Sequence, residues 1–258
     1  MTPVPPGAPT ALVTGGAVRI GRSIALALAR RGYSVAIHYN RSGSAAMALV
    51  REIAAAGGKA TALSADLCNH TEVLALLPAA ASALGPVSVL VNNASSFEYD
   101  SLASASIESW TLHMNGNLRA PFFLSQAFAS QLPTDIPGHI VNIIDQRVWR
   151  LTPHFATYTL SKSGLWTLTQ TLAMTLAPRI RVNGIGPGPV LANHRQTQEQ
   201  FERQWHSTPL QRGASPDEIA AGVEFLLDAQ AMTGQMIALD GGQHLPWQTG
   251  ATPPDLED

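Results

Sequence analysis

Along the chain, short runs of apolar, mostly β-branched or aliphatic residues alternate with longer stretches in which apolar residues recur every three or four positions. The short runs predict strands at Ala11–Thr14, Ser34–Tyr39, Lys59–Ser64, Val87–Asn92, Gly138–Ile144, Arg181–Ile185 and Met236–Leu239. Their apolar residues are nearly continuous, as expected of strands covered on both faces. The longer stretches predict helices, with stripes at Ile24, Ala27 and Leu28, at Leu165, Leu168, Leu172 and Leu176, and at Ile219, Val223, Leu226 and Leu227. Ser215-Pro216-Asp217-Glu218 opens the last as a capping box with proline in the first turn. Strand–helix alternation of this kind builds βαβ units around a parallel sheet. No internal repeat or interior linker interrupts it, so a single domain is expected over residues 10–247, with flexible tails at 1–9 and 248–258. The longest irregular stretch runs from Gly186 to about Thr208, a length usually tied to function.

Composition narrows the function classes. The 258 residues are 45% hydrophobic and 13% charged, with a net charge of −2. Such a balance carries no global signal for nucleic acid or an anionic membrane. Cys68 is the only cysteine, which excludes an intramolecular disulfide and suits a reducing compartment. Met1–Thr10 lacks the basic and apolar regions of a signal peptide, and no run approaches the roughly 18 apolar residues of a membrane span. A cytoplasmic protein is therefore expected. No His/Cys spacing suggests a metal site.

Two local patterns carry candidate chemistry. The first strand runs into Thr14-Gly15-Gly16-Ala17-Val18-Arg19-Ile20-Gly21 and then a helix. Glycines at such a turn let backbone approach a pyrophosphate, and the helix start supplies free N–H groups. The fold expected is thus α/β and Rossmann-like, doubly wound, with a seven-stranded parallel sheet. At the end of the second strand stand His38, Tyr39, Asn40, Arg41 and Ser42, without the carboxylate that usually binds a ribose 2′-hydroxyl. Arg41 and Ser42, with Arg19 on the same side, suit a 2′-phosphate and hence NADPH. Asp66, after the third strand, is placed either to bind the adenine amine or to cap the next helix.

The second pattern is Tyr158 and Lys162, four residues apart on one helix face. An ammonium beside a phenol favours the phenolate, so the pair predicts a Tyr158 pKa lowered towards neutrality and a general acid.

These residues, with Asn92-Asn93-Ala94, Asn117, Pro187-Gly188 and Asp240-Gly241-Gly242, resemble the short-chain dehydrogenase/reductase family from about Ala11 to Leu245. The resemblance implies that Tyr158 donates a proton, that Lys162 binds the nicotinamide ribose, and that Asn117 holds a relay water. It also implies a cofactor site including Gly15, Arg19, Ile20, Gly21, His38, Tyr39, Asn40, Arg41, Ser42, Asp66, Leu67, Asn93, Ala94, Ser95, Pro187 and Gly188. It further implies a homotetramer built through long helices at about Ile107–Leu132 and Phe155–Ala177.

Three departures sharpen the resemblance. Arg19 replaces the middle glycine of the first turn, Ser95 follows Asn92-Asn93-Ala94 in place of glycine, and Asp145 stands 13 residues before Tyr158 where a serine is usual. Together with Phe97 and the His38–Ser42 run, they look like the pteridine reductase branch, which includes dihydromonapterin and alternative dihydrofolate reductases. An ionised carboxylate cannot donate a hydrogen bond to a ketone oxygen, and it opposes ionisation of the neighbouring phenol. Asp145 therefore suits a ring nitrogen that must gain a proton. Phe97 is expected either to stack on a flat heterocycle such as a pterin or to pack in the core. Arg19 and Ser95 are expected at the substrate or the cofactor phosphate. Asn193, His194, Arg195, Trp205 and His206 in the covering loop receive no role. Two alternatives stand beside this reading: a carbonyl or alcohol oxidoreductase of the same family, and a nucleotide-binding sensor without turnover.

Overall fold

The structure, a computed structural model, describes residues 7–193 and 195–245. His194 and the expected tails, apart from residues 7–9, lie outside the described residues.

Seven parallel strands form one sheet: β1 (Thr10–Val13), β2 (Ser34–Tyr39), β3 (Ala60–Ser64), β4 (Val87–Asn92), β5 (Gly138–Ile143), β6 (Ile180–Pro187) and β7 (Met236–Leu239). Their spatial order is β3-β2-β1-β4-β5-β6-β7, so the chain winds outward from β1 in one direction and then from β4 in the other. That reversal opens a crevice beyond the carboxyl ends of β1 and β4, where ligands of doubly wound sheets bind.

The period of two along each strand sorts side chains between the layers. Val13, Ile37, Val91 and Ile185 face α1 (Arg19–Arg30), α2 (Gly43–Ala55) and α8 (Pro216–Asp228), meeting Ile24, Leu28, Leu49, Ile53, Ile219 and Val223. Leu12, Ala36, Leu90, Ile140 and Val182 face the other layer, where α3 (His70–Leu84) and α5 (Ala120–Gln131) bring Leu76, Leu77, Leu124 and Phe128. Truncating a core leucine such as Leu28 to alanine costs about 2–5 kcal/mol.

The long helix expected over Ile107–Leu132 is interrupted. An α-helix, α4, spans Ile107–Met114, a π-helical turn follows at Asn115–Arg119, and α5 resumes at Ala120. Pro121 has no N–H to give the Asn117 carbonyl, and the Ala120 N–H reaches back five residues to the Asn115 carbonyl. The widened turn carries Asn117. The second long helix, α6, spans Ala156–Leu176.

The stretch expected to be irregular from Gly186 to Thr208 is partly regular. β6 continues to Pro187, and a helix, α7, occupies Gln198–His206. Thr197 and Gln200 form a reciprocal capping box at its start, a pattern present in the sequence as Thr197-Gln198-Glu199-Gln200. Trp205 then pins α7 by donating its indole N–H to the Pro189 carbonyl at 2.7 Å. Among the described residues no helix is long and apolar enough to cross a membrane.

Below the sheet, Arg181 donates to the carbonyls of Leu226, Leu227, Ala229 and Met232 around the end of α8, and its guanidinium faces His139 at 3.3 Å. Burial, and then the Arg181 charge, push the His139 pKa down to about 3. The unfolded chain takes up this proton near 6.5 and the folded chain only near 3, so the site's contribution is complete above pH 6.5 and declines as pH falls. Urea titrations should show stability falling below about pH 6.5, with a slope from this site approaching about 1.4 kcal/mol per pH unit. His139→Gln should flatten that slope; an unchanged profile would refute the assignment.

Candidate active site

The turn after β1 is stitched to two neighbouring strand ends. The Thr14 hydroxyl accepts the N–H groups of Asn93 (2.9 Å) and Ala94 (3.0 Å). The Asn93 amide donates back to the carbonyls of Thr14 and Gly15. On the other side, the Gly15 N–H donates to Nδ1 of buried His38 at 3.0 Å, and the His38 Nε2–H donates to the Ala65 carbonyl at 3.0 Å. Burial keeps this imidazole neutral by lowering its pKa, which preserves Nδ1 as an acceptor.

Gly15 has φ +60°, and a Cβ on Gly21 would lie 2.1 Å from the Gly15 carbonyl oxygen, so the turn has no room for side chains there. α1 begins without a side-chain cap and without an acidic residue in its first turn. Its free N–H groups therefore remain available to an anion. Arg19, at φ +52°, occupies a backbone conformation that favours glycine. Its guanidinium donates to the carbonyls of Leu191 (3.1 Å) and Ala192 (3.0 Å). Expected at the substrate or the phosphate, it borders the cavity and also ties the covering loop to the turn.

Between the strand ends and this loop lies a cavity of about 430 Å³. Of the residues expected at the site, Gly15, Arg19, Ile20, Gly21, His38, Asn40, Asn93, Ala94, Ser95, Phe97, Asp145, Tyr158, Lys162, Pro187 and Gly188 line it. Tyr39, Arg41, Ser42, Asp66, Leu67 and Asn117 do not. The Tyr39 ring lies against Gly43, Arg41 is exposed beside Asn40 at the rim, and Ser42 begins α2. Leu67 is packed in the core. The Asp66 carboxylate accepts the Cys68 N–H at 2.9 Å, and the cap of α3 is Asn69, not Asp66.

At the cavity floor the Tyr158 hydroxyl donates to Oδ2 of Asp145 at 2.8 Å. The other carboxyl oxygen, Oδ1, accepts the Arg147 N–H at 2.8 Å. Lys162, buried, donates from Nζ to the Ile143 carbonyl at 2.9 Å and lies 5.8 Å from the centre of the Tyr158 ring. The spacing of Tyr158 and Lys162 predicts a lowered phenol pKa; the structure reverses this. Burial and then Asp145 raise Tyr158 well above its ordinary value, because the ammonium bonds a carbonyl while a carboxyl faces the hydroxyl. Burial raises Asp145 as well, against the opposing pull of Arg147, Tyr158 and Lys162. Burial lowers Lys162 to about 8, opposed by Asp145. The arrangement holds the proton on the phenol and aims it at the carboxyl.

Phe97 both packs and lines the cavity. It stacks on Phe155 at 4.5 Å and meets Tyr158 edge-on at 4.6 Å. Arg195, to which the sequence assigned no role, lies over Phe97 at 4.8 Å and donates to the Phe97 carbonyl and the Glu98 carboxylate. Asn117 is fully buried behind the lining, donating to the Ser96 carbonyl and Ser161 hydroxyl and accepting the Ser96 N–H. The outer wall comes from Gln146 and, in the loop expected to cover the site, from Asn193, Gln196, Phe201 and Gln204, residues to which the sequence assigned no role. The length of the Gly186–Thr208 stretch pointed to the segment, and the capping box of α7 to its helix.

A family model described as enoyl-(acyl carrier protein) reductase matches residues 16–244. The chain is 34% identical over 239 residues to a 3-oxoacyl-[acyl-carrier-protein] reductase of Synechocystis sp., covering 91% of this chain and 96% of that one. Its fold matches the crystal structure of FolM alternative dihydrofolate reductase 1 from Brucella suis in complex with NADP. That match has a TM-score of 0.91 and 48% identity and covers 94% and 97% of the two chains. A blue fluorescent protein from a metagenomic library, in complex with NADPH, matches with a TM-score of 0.85 and 34% identity, covering 91% and 97%.

The Arg19 tether makes a mechanical prediction. Arg19→Gly removes two hydrogen bonds to the loop, each worth about 0.5–1.5 kcal/mol, while suiting the positive φ. Limited proteolysis between residues 189 and 197 should accelerate by about fivefold or more with the melting temperature maintained. Unchanged cleavage would show that the tether does not restrain the loop.

Proposed function

The chain belongs to the short-chain dehydrogenase/reductase family, and on that premise we propose that it is an NADPH-dependent reductase of a C=N bond in a pterin or dihydrofolate-type substrate. The observation carrying this reading is the 2.8 Å hydrogen bond from Tyr158 to Asp145 at the cavity floor. A serine hydroxyl in that place would donate to a ketone oxygen, whereas a carboxyl that accepts from Tyr158 suits a relay passing a proton to a basic ring nitrogen.

The residues present fit the cofactor. The glycine cradle and uncapped start of α1 suit a pyrophosphate, and Arg41 and Ser42, with no carboxylate at the end of β2, suit a 2′-phosphate. When bound, NADPH supplies the hydride. Lys162 would hold the nicotinamide ribose, and Asn117 would order the solvent end of the relay. Phe97 presents an aromatic wall for a flat ring. Tyr158 and Asp145 would pass a proton to the substrate nitrogen, leaving the carboxylate to be reprotonated from solvent. The reading takes residues 10–247 as one catalytic domain of a cytoplasmic enzyme. It forms a homotetramer through α4, α5 and α6, whose exposed faces carry Trp110, Phe122, Leu160 and Met174.

A ketone substrate is the second reading, favoured by the 3-oxoacyl-[acyl-carrier-protein] reductases among the sequence relatives. Absorbance at 340 nm separates the two. NADPH should be oxidised with dihydrobiopterin, dihydromonapterin or dihydrofolate, and Asp145→Ser should lower that kcat by about 10²-fold or more. Turnover of no pterin or folate, or full activity of Asp145→Ser on ketones, would overturn the C=N reading.

Because the donor must be protonated and Asp145 titrates above the ordinary aspartate value, reduction should slow as pH rises; a flat profile in the native enzyme would contradict this. Arg41→Ala should cut the preference for NADPH over NADH by roughly 10- to 100-fold, the worth of one charged hydrogen-bonded contact.

A further inference from the structure

The catalytic helix α6 starts in an unusual way. Phe155, its N-cap, has φ +57° and supplies no side-chain cap. A residue 55 positions earlier takes over that role. The Asp100 carbonyl accepts the N–H groups of Phe155 (2.7 Å) and Ala156 (3.4 Å), and Asp100 Oδ1 accepts the Thr157 N–H at 3.1 Å. Three orphan donors at the start of α6 are thus satisfied from outside the helix, two by the Asp100 main-chain carbonyl and one by its carboxylate, which stands at the helix's positive end.

The second carboxyl oxygen extends the anchor. Oδ2 accepts the Thr157 hydroxyl at 2.5 Å and the Ser109 hydroxyl at 3.0 Å. His113, fully buried, faces the Thr157 oxygen from Nδ1 at 2.7 Å, and its Nε2 accepts the Glu98 N–H at 3.1 Å. Since Nε2 is an acceptor, Nδ1 carries the proton and donates to Thr157, whose own proton goes to Asp100. Burial pushes the Asp100 carboxyl up, but the bonds from Thr157 and Ser109 outweigh it and hold it below its ordinary value, so it stays an acceptor.

What this anchor holds is the next residue, Tyr158, together with the Phe97–Phe155 stack on the segment Asp100 belongs to. We propose that Asp100 is a positioning residue for the reaction: it fixes the first turn of α6 against the segment after β4, and so sets the Tyr158 hydroxyl at its distance from Asp145. The inference rests on Tyr158 being the proton donor. Its leverage is geometric, since a misplacement of about 1 Å at a reacting group can cost about 10²-fold in rate.

The test is a double-mutant cycle in the full chain with NADPH and whichever substrate is turned over. Asp100→Asn replaces one acceptor oxygen by a donor NH2 facing Thr157 and Ser109. It is expected to lower kcat by about 10- to 100-fold, with the Kd for NADPH within about twofold of the native value. Tyr158→Phe should lower kcat further, and adding Asp100→Asn to Tyr158→Phe should cost almost nothing more, because the anchor acts through the phenol. Thr157→Val should give a smaller loss in the same direction, and Thr157→Ser should restore the native rate. If Asp100→Asn does not fold, Thr157→Val takes its place in the cycle.

A native kcat in these variants, a multiplied loss in the double mutant, or a parallel loss of NADPH affinity would overturn the proposal. Native activity of Tyr158→Phe would overturn the proton-donor reading instead, so the two failures are distinguishable.

Discussion

A phenol donates a hydrogen bond to a carboxyl across 2.8 Å at the bottom of the cavity, and much of the structure keeps them there. Two acidic groups removed from water each favour their neutral form. Burial raises both Tyr158 and Asp145; Asp145 raises Tyr158 further, while the hydrogen bond from Tyr158 opposes the rise at Asp145. Their separation is maintained from two directions. Asp145 ends the run out of β5 and is held by the Arg147 N–H, while Tyr158 rides on the first turn of α6, whose start is tied down by Asp100.

The same economy of position governs the other half of the cavity. The turn after β1 lies between Asn93 at the end of β4 and His38 in β2, and the hydrogen bonds among them join three strand ends. A parallel sheet brings the carboxyl ends of its strands to one edge, so residues about 80 positions apart in sequence meet there. The neutral imidazole of His38 works as a two-ended strut, accepting from Gly15 and donating to Ala65. Over the crevice, Arg19 and Arg195 hold the loop after β6 from opposite sides, one on its carbonyls and one through the Phe97 wall. A ligand is thereby enclosed by elements that are individually short but jointly restrained.

The strand pattern was legible because two buried faces require runs of aliphatic residues, and six of the seven predicted ranges agree with the observed ones to within one residue at each end; β6 extends two beyond its predicted end. α7 escaped notice because it is polar on most positions, and Phe201 is its one buried residue. The break in the long helix was hidden for a different reason. Pro121 was in plain view, but whether a proline ends a helix, kinks it or widens one turn depends on how neighbouring elements take up the freed carbonyl. Of the two roles Asp66 was assigned on local grounds, the helix cap went instead to Asn69, which lies closer to the true start of α3.

The sequence by itself determined the chemical inventory of the site: a glycine turn after the first strand, an arginine and serine without a carboxylate after the second, Asp145 in place of a serine, and Tyr158 with Lys162 on one helix face. Such identities are carried by residue type and short spacing, which survive without knowledge of the rest of the chain. Only the tertiary structure decided what those groups do to one another. It turned the Lys162 ammonium onto the Ile143 carbonyl, it buried Tyr158 against Asp145 and so raised the phenol pKa instead of lowering it, and it tied Arg19 to the loop and Asp100 to the start of α6. The physical reason is that desolvation and hydrogen-bond partners are set by elements distant in sequence, and a pKa or a helix cap depends on those partners more than on the residue itself.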